Sequence, residues 1–262
     1  MAIKIAAVGD NCMDVYENLG KAYPGGNPVN VSVYFVRMGG EASYTGVGGS
    51  DPYGELLKNA VCGKGVDVSH VRTVSGSTAI THVKLIDGER VMGDYEEGVL
   101  ENFTLTDEEV EYLGSEALVV SALWGNCQQY FPAIREKGAK IAYDAATRPA
   151  DPAAKEAIVY VNYFFFSAEE DTPALREQMR RLFEEGPELV IATLGEHGSI
   201  AYDGTGFTLH GVTPCSVVDT MGAGDSYIAG FLYGLMNNES LSACMQRGAD
   251  SAAVTIGYFG AW

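Results

Sequence analysis

The chain has 262 residues, 47% of them hydrophobic and 20% charged, which is long enough for one large core or two unequal lobes. Its 17 Lys and Arg against 35 Asp and Glu give a formal charge of -18, so it lacks the basic surface that would hold a nucleic-acid backbone or an anionic membrane. Any phosphate-bearing ligand therefore has to be held by local amides, a few cations and metal ions.

The first apolar run, Ile3 to Val8, reads as a strand. It is too short and too weakly flanked for a signal peptide, and no apolar stretch reaches membrane-spanning length. The run ends in Gly9-Asp10-Asn11-Cys12-Met13-Asp14. Ligands of open α/β sheets collect beyond the carboxyl ends of strands, so Asp10 and Asp14 are placed to accept hydroxyl hydrogen bonds from a sugar. Either aspartate has the alternative of capping a turn. Next comes Pro24-Gly25-Gly26-Asn27-Pro28-Val29-Asn30, where Asn27 caps a helix whose first position is Pro28. Val29, Val33 and Val36 give that helix its apolar stripe, and Gly39 ends it. Asn30 lies three residues beyond Asn27, so both carboxamides share one side of the helix start, either beside a polyhydroxyl ligand or simply in a Gly-rich turn with a cap.

A helix is predicted from Pro52 to Cys62. Thr78 to Ile86 and Glu89 to Tyr95 read as two strands joined by a tight turn at Asp87-Gly88. The pair either projects as a small β lid, formed from about residues 11–24 and 76–98, or lies as an antiparallel edge on the main sheet. Thr106 and Glu109 make a capping box for the next helix. Strand-like runs at Ala117 to Leu123, Lys140 to Asp144, Val161 to Ser167 and Leu189 to Leu194 alternate with helical segments at Gln128 to Lys137 and Pro173 to Glu185. These strands are almost continuously apolar, as strands buried on both faces of a parallel sheet are. The alternation predicts a single α/β domain over 1–262 with helices on both faces of the sheet.

The seven residues Asp219-Thr220-Met221-Gly222-Ala223-Gly224-Asp225 open another helix, for Ile228, Phe231, Leu232, Leu235 and Met236 follow at spacings of three and four. Two glycines let backbone amides approach a ligand, and the free N–H groups of a helix start point at any anion placed there. Asp225 falls in the first turn, where the helix N-terminus favours the ionised carboxylate. A last helix runs from Leu241 to Ile256. The five cysteines, Cys12, Cys62, Cys127, Cys215 and Cys244, are scattered with no C-x-x-C pair, which points to a reduced, cytosolic (cytoplasmic) compartment. The four histidines show no ligand spacing.

Together, G-G-N-P-V-N from residue 25 and D-T-M-G-A-G-D-S-Y-I-A-G-F from residue 219, about 190 residues apart, resemble the two signatures of the ribokinase-type (PfkB) carbohydrate kinases. Thr193-Leu194-Gly195 and the order of strands and helices fit the same family, so the resemblance covers essentially the whole chain. It implies a ribokinase-like three-layer α/β/α sandwich with a mostly parallel central sheet and a small β lid. It also implies an ATP-dependent kinase that phosphorylates a primary sugar hydroxyl. Within the family, G-D-N-C-M-D-V-Y (9–16), G-G-N-P-V-N-V-S-V-Y (25–34), G-D-Y-E-E-G-V (93–99), Trp124-Gly125, the short connection from Asp14 to Gly25 and Tyr258-Phe259-Gly260-Ala261-Trp262 are similar to the subgroup that acts on fructoselysine. Acceptance of another ketose such as fructose, or a non-catalytic sugar- or nucleotide-binding regulator on the same fold, stands as the alternative.

The resemblance makes Asp225 the catalytic base and the amides of Gly222, Ala223 and Gly224 an anion hole. It assigns the sugar to Asp10, Asp14, Gly25, Gly26, Asn27 and Asn30. Thr193, Gly195 and Gly198 match the nucleotide-binding T-L-G-x-x-G turn, and residues around Ala253 to Gly257 fall near the adenine. Mg²⁺ is implied to bridge the β- and γ-phosphates. The family's N-x-x-E element appears as Ser167-Ala168-Glu169-Glu170, which leaves Glu170 either linked to the metal or part of an acidic helix start. A monovalent cation such as K⁺ stays open, because Trp262 follows closely on Gly260. The acidic run Asp94, Glu96 and Glu97 on the lid either meets the amine of fructoselysine or is solvated charge. The lid's exposed edge is expected to pair two subunits into a homodimer.

Overall fold

The computed structural model describes residues 3–86 and 89–262. The chain begins with β1 (Lys4–Val8), crosses to another layer for β2 (Cys12–Tyr16) and β3 (Lys21–Gly25), and returns through α1 (Asn27–Arg37) to β4 (Glu41–Gly49). After α2 (Pro52–Gly63) and β5 (Val71–Val74) it leaves again for β6 (Ile80–Ile86) and β7 (Glu89–Glu96). Then α3 (Asp107–Ser115), β8 (Leu118–Ala122), α4 (Phe131–Glu136), β9 (Lys140–Asp144), α5 (Pro152–Ile158), β10 (Tyr163–Ser167), α6 (Pro173–Glu184) and β11 (Leu189–Thr193) alternate. β12 (Ser199–Tyr202), β13 (Phe207–His210), α7 (Ala223–Met236) and α8 (Leu241–Thr255) complete the order.

The main sheet runs β13-β12-β11-β10-β9-β8-β1-β4-β5. It is parallel from β5 to β11, and only β12 and β13 pair antiparallel at one edge. The pleat sends alternate residues to opposite faces. In β1, Ile5 and Ala7 enter one core, and Ala6 and Val8 the other. The first core is covered by α1, α2, α7 and α8 through Val29, Leu57, Phe231 and Met245. The second is covered by α3 to α6 through Leu113, Ile134, Ile158 and Met179. This is a three-layer α/β/α sandwich with a mostly parallel central sheet.

The residues expected as a hairpin, β6 and β7, do not extend the main sheet. They join β2 and β3 in a separate four-stranded sheet ordered β3-β2-β6-β7, with β2 and β6 parallel. The Asp87-Gly88 turn lies outside the described residues. At α3 both halves of the capping box are present: Glu109 N donates to Thr106 Oγ1 (3.2 Å), and Thr106 N donates to Glu109 Oε2 (2.8 Å). The helix expected from Gln128 is α-helical only from Phe131, after a 3₁₀ turn at Gln128–Tyr130. Pro132 has no N–H to give and its ring obstructs the preceding turn, so a continuous helix from Gln128 cannot pass through it.

Candidate active site

Three strand ends and two helix starts meet on one side of the main sheet. β1 ends at Val8 and delivers Asp10, β9 ends at Asp144, and β3 hands Gly25 and Gly26 directly to α1. Gly26 holds φ +108, and a Cβ there would sit 2.6 Å from the Asn11 Cα, so only glycine lets β3 turn into α1 this close to the β1 loop. Asn27 was expected to cap α1. The cap position belongs instead to Gly26, with no side-chain bond. The Asn27 carboxamide points into the site, where its two N–H groups have stronger acceptors than a neutral backbone offers. Nδ2 donates to Asp144 Oδ2 (2.6 Å) and to Asp225 Oδ1 (2.7 Å). Asn30, one turn along the same face, donates from Nδ2 to Asp225 Oδ2 (2.7 Å). Asp225 thus joins α1 to the first turn of α7.

Gly222 caps α7 with φ +71. A Cβ at that position would lie 2.2 Å from the Tyr34 hydroxyl, which is itself bonded to the Ala261 carbonyl. Of the three amides expected in the anion hole, that of Ala223 is engaged, donating to the Thr220 carbonyl at 3.2 Å. It closes the turn rather than facing a ligand, and the expectation narrows to Gly222 and Gly224. The turn is braced by Asp219, whose carboxylate accepts from Met221 N (3.0 Å) and Gly260 N (2.8 Å).

Four carboxylates share this space. Asp10 is 7% exposed, accepts from the Asn27 amide at 3.3 Å through Oδ2, and leaves Oδ1 buried without a partner. Burial pushes its carboxyl up to about 6, with Asp144 adding to the shift. Asp144 also stands at about 6, raised by burial against the opposing Ala146 amide and Asn27 carboxamide. Asp225 is pushed furthest, to about 8: burial is the main cause, Asn30 opposes it, and Asp144, Asp10 and Asp14 reinforce it. A carboxylate kept ionised by its helix N-terminus was expected here. Desolvation and three like charges outweigh that helix contribution. Asp14 lies on β2 against Gly25, whose added Cβ would meet its Oδ2 at 3.0 Å.

The remaining expected residues lie along the neighbouring strand ends. Thr193 closes β11, its hydroxyl 2.9 Å from that of Ser167. Gly195 and Gly198 follow with φ +55 and +89, and a Cβ at Gly198 would meet the His210 carbonyl at 2.1 Å. Tyr227 on α7 donates to Ser199 Oγ (2.7 Å), which ties this turn to the Asp225 helix. Ala253 and Gly257 lie at the end of α8, whose Thr255 and Ser251 hydroxyls bond Ser226. Val217, Val218 and Val254 form exposed apolar surface beside them, with Val218 N bonded to the Ile256 carbonyl (2.8 Å). Glu170 is exposed beyond β10. Asp94 on β7 and Glu97 just beyond it are exposed, and the exposed Glu96 is engaged by His82 (2.9 Å).

Residues 3–262 match the family described as pfkB family carbohydrate kinase. The chain belongs to that family. It is 43% identical over 258 residues to the fructoselysine 6-kinase of Shigella flexneri, covering 98% of this chain and 99% of the relative. It is 28% identical over 265 residues to the fructosamine kinase FrlD of Bacillus subtilis (strain 168), covering 99% and 93%. The structure of Arabidopsis thaliana ribokinase complexed with ribose and ATP shares the fold at a TM-score of 0.88, with 20% identity and coverage of 99% of this chain and 94% of the other. This pfkB-family protein is therefore a carbohydrate kinase, an enzyme that uses ATP, with Mg²⁺ as the usual companion of the nucleotide. Among the described residues no three His, Cys, Asp or Glu side chains are grouped to hold a metal. Magnesium at phosphoryl-transfer sites takes one or two carboxylates plus phosphate oxygens and keeps several waters. Among the described residues no helix is long and apolar enough to cross a membrane.

Asp144 was missed in the sequence. The signal was available: it stands at the carboxyl end of an apolar strand, where ligands of open α/β sheets collect. The apolar surface at Val217, Val218 and Val254 carried no comparable signal, because single exposed valines are ordinary in any sequence.

Proposed function

We propose that this carbohydrate kinase transfers the γ-phosphoryl group of ATP to the C6 primary hydroxyl of fructoselysine. The reaction rests on Asp225, held by Asn27 and Asn30 beside the Gly222 turn; the acceptor rests on the 43% identity to a fructoselysine 6-kinase over nearly the full length of both chains. Asp225 takes the hydroxyl proton as the oxygen bonds to the γ-phosphorus, and the bond from that phosphorus to the bridging oxygen breaks to release ADP. The amides of Gly222 and Gly224 receive the charge that develops on the transferring group. Asp10, Asp14, Gly25, Gly26, Asn27 and Asn30 hold the ketose. Thr193, Gly195, Gly198, Ala253 and Gly257 line the nucleotide, with Val217, Val218 and Val254 offering apolar contact to the base. Glu170 is the residue proposed to hold magnesium, which when bound neutralises the phosphate oxygens.

The four-stranded sheet acts as a lid over the acceptor in this reading. Its Asp94 and Glu97 supply negative charge for the lysyl ammonium. Its outer strand β7 exposes Val91 and Tyr95, and pairing of two such edges makes the protein a homodimer, in the cytosol. ADP release from fructoselysine, fructose and other ketoses, each with and without K⁺, tests the acceptor. A kcat/KM for fructoselysine at least about tenfold above that for fructose is expected, equivalent to one charge-assisted hydrogen bond. Equal rates with all ketoses would refute the assignment.

The carboxylate cluster makes a separate prediction. Only ionised Asp225 accepts a proton, so kcat/KM rises with pH through an acid limb near pH 8, where burial and the neighbouring carboxylates place its carboxyl (about 8). Asp144 raises that value, so Asp144→Asn removes the repulsion and moves the limb toward lower pH by about half a unit to one unit. A limb that stays in place in that variant would show that Asp144 does not act on the base.

A further inference from the structure

The segment after α8 reaches the base through α1. The Trp262 indole Nε1–H donates to Asn30 Oδ1 at 2.8 Å, and Asn30 Nδ2 donates to Asp225 Oδ2 at 2.7 Å. A carboxamide has a donor end and an acceptor end that exchange on a half-turn, whereas an indole N–H only donates. A donor fixed at Oδ1 therefore leaves Nδ2 as the end that faces Asp225. Trp262 is itself held in place. The preceding Ala261 carbonyl accepts from the hydroxyls of Tyr34 and Tyr258, Gly260 N is bonded to Asp219 (2.8 Å), and Lys64 Nζ lies 5.6 Å from the indole centroid.

We propose that Trp262 is a positioning residue of the kinase reaction, fixing the Asn30 carboxamide in the orientation that hydrogen-bonds ionised Asp225. The inference rests on Asp225 being the base. Asp144 at the end of β9, Asp10 after β1 and Asp14 on β2 face Asp225 and oppose its ionisation. The Tyr34 hydroxyl on α1 also feels the Asp225 charge, and Arg37 stacks behind it at 4.7 Å from the ring. The bonds from Asn27 and Asn30 are the contacts that favour the charged carboxylate, and Asn30 depends on Trp262 for its orientation. Without the indole N–H, the carboxamide is free to turn Oδ1 toward Asp225. That arrangement suits only the protonated acid.

The test is the pH dependence of kcat/KM and kcat in Trp262→Phe, which keeps an aromatic ring and loses the N–H. The acid limb is expected to move up by about half a unit to one unit, with kcat at pH 7 lower by about three- to tenfold and recovered above about pH 9. The KM for ATP is expected to stay within about twofold, since the contact is to the base. Should the smaller ring unfold the protein, benzothienylalanine at position 262 removes the N–H while preserving the shape, and the same shift is expected. The double variant Trp262→Phe, Asn30→Ala is expected to be no slower than Asn30→Ala alone, because both act through one contact. A loss uniform across pH, an unchanged profile, or additive losses in the double variant would each overturn the proposal. Failure of the base assignment would show differently, as turnover in Asp225→Asn whatever stands at position 262.

Discussion

Asp225→Asn is expected to lower kcat by roughly 10²–10⁴-fold while the dissociation constants for ATP and the ketose change by no more than about threefold. The substitution keeps the side chain's size and removes the capacity to accept a proton; its single oxygen can accept from only one of Asn27 and Asn30, so one of those two hydrogen bonds is lost as well. The contacts proposed for Gly25, Gly26 and the Gly222 turn remain. A second consequence runs the opposite way. The folded carboxyl sits at about 8, above its ordinary value near 3.8. The preference for the protonated form therefore stabilises the fold fully below the ordinary value, and that stabilisation is lost as pH rises through about 8. The asparagine variant carries no such loss, so its melting temperature at pH 8 to 9 is expected to exceed the parent's. A slower but more stable enzyme is the pattern of a group placed for chemistry at a cost to the fold. Near-normal turnover in the variant would remove Asp225 from the mechanism.

Gly222→Ala is the second large effect expected. The residue caps α7 at φ +71, where an alanine costs about 1–2 kcal/mol in backbone conformation alone. Its Cβ would also lie 2.2 Å from the Tyr34 hydroxyl, and Tyr34 cannot withdraw without giving up its bond to the Ala261 carbonyl. Chemical unfolding is expected to show a loss of about 2–4 kcal/mol, with kcat down at least about 100-fold, because the displaced turn carries both the amides proposed to receive the transferring phosphoryl group and Asp225. Gly224→Ala is the internal comparison. An added Cβ there meets nothing within 4 Å, so its stability should hold. Equal stability of the two variants would contradict the argument from the Tyr34 contact.

Much of this was legible in the sequence where local rules act alone. The Thr106 capping box and the strand Lys140–Asp144 follow from hydrogen-bonding chemistry and apolar continuity, and the structure contains them; the strand expected over Val161–Ser167 is present from Tyr163 to Ser167. β4 was not foreseen. Its sequence, Glu-Ala-Ser-Tyr-Thr-Gly-Val-Gly-Gly, is too rich in small residues to read as a strand, and it forms because β1 and β5 pair with it on either side. Asn27 shows the same limit at the site. Its sequence context favours a cap, but two carboxylates more than 100 residues away compete for its N–H groups and win. The raised Asp225 carboxyl is likewise a property of assembly. The helix N-terminus is visible in the chain, whereas the convergence of Asp10, Asp14 and Asp144 exists only after β1, β2 and β9 are placed.

In the proposed reaction Asp225 faces the hydroxyl that receives the phosphoryl group. The most direct measurement is a crystal structure of the protein with fructoselysine and an unreactive ATP analogue. The C6 hydroxyl is expected within about 2.6–3.2 Å of an Asp225 oxygen, with the γ-phosphate in line beyond it at the Gly222–Gly224 amides. A bound ketose whose C6 hydroxyl points away from Asp225, with the terminal phosphate elsewhere, would contradict the account.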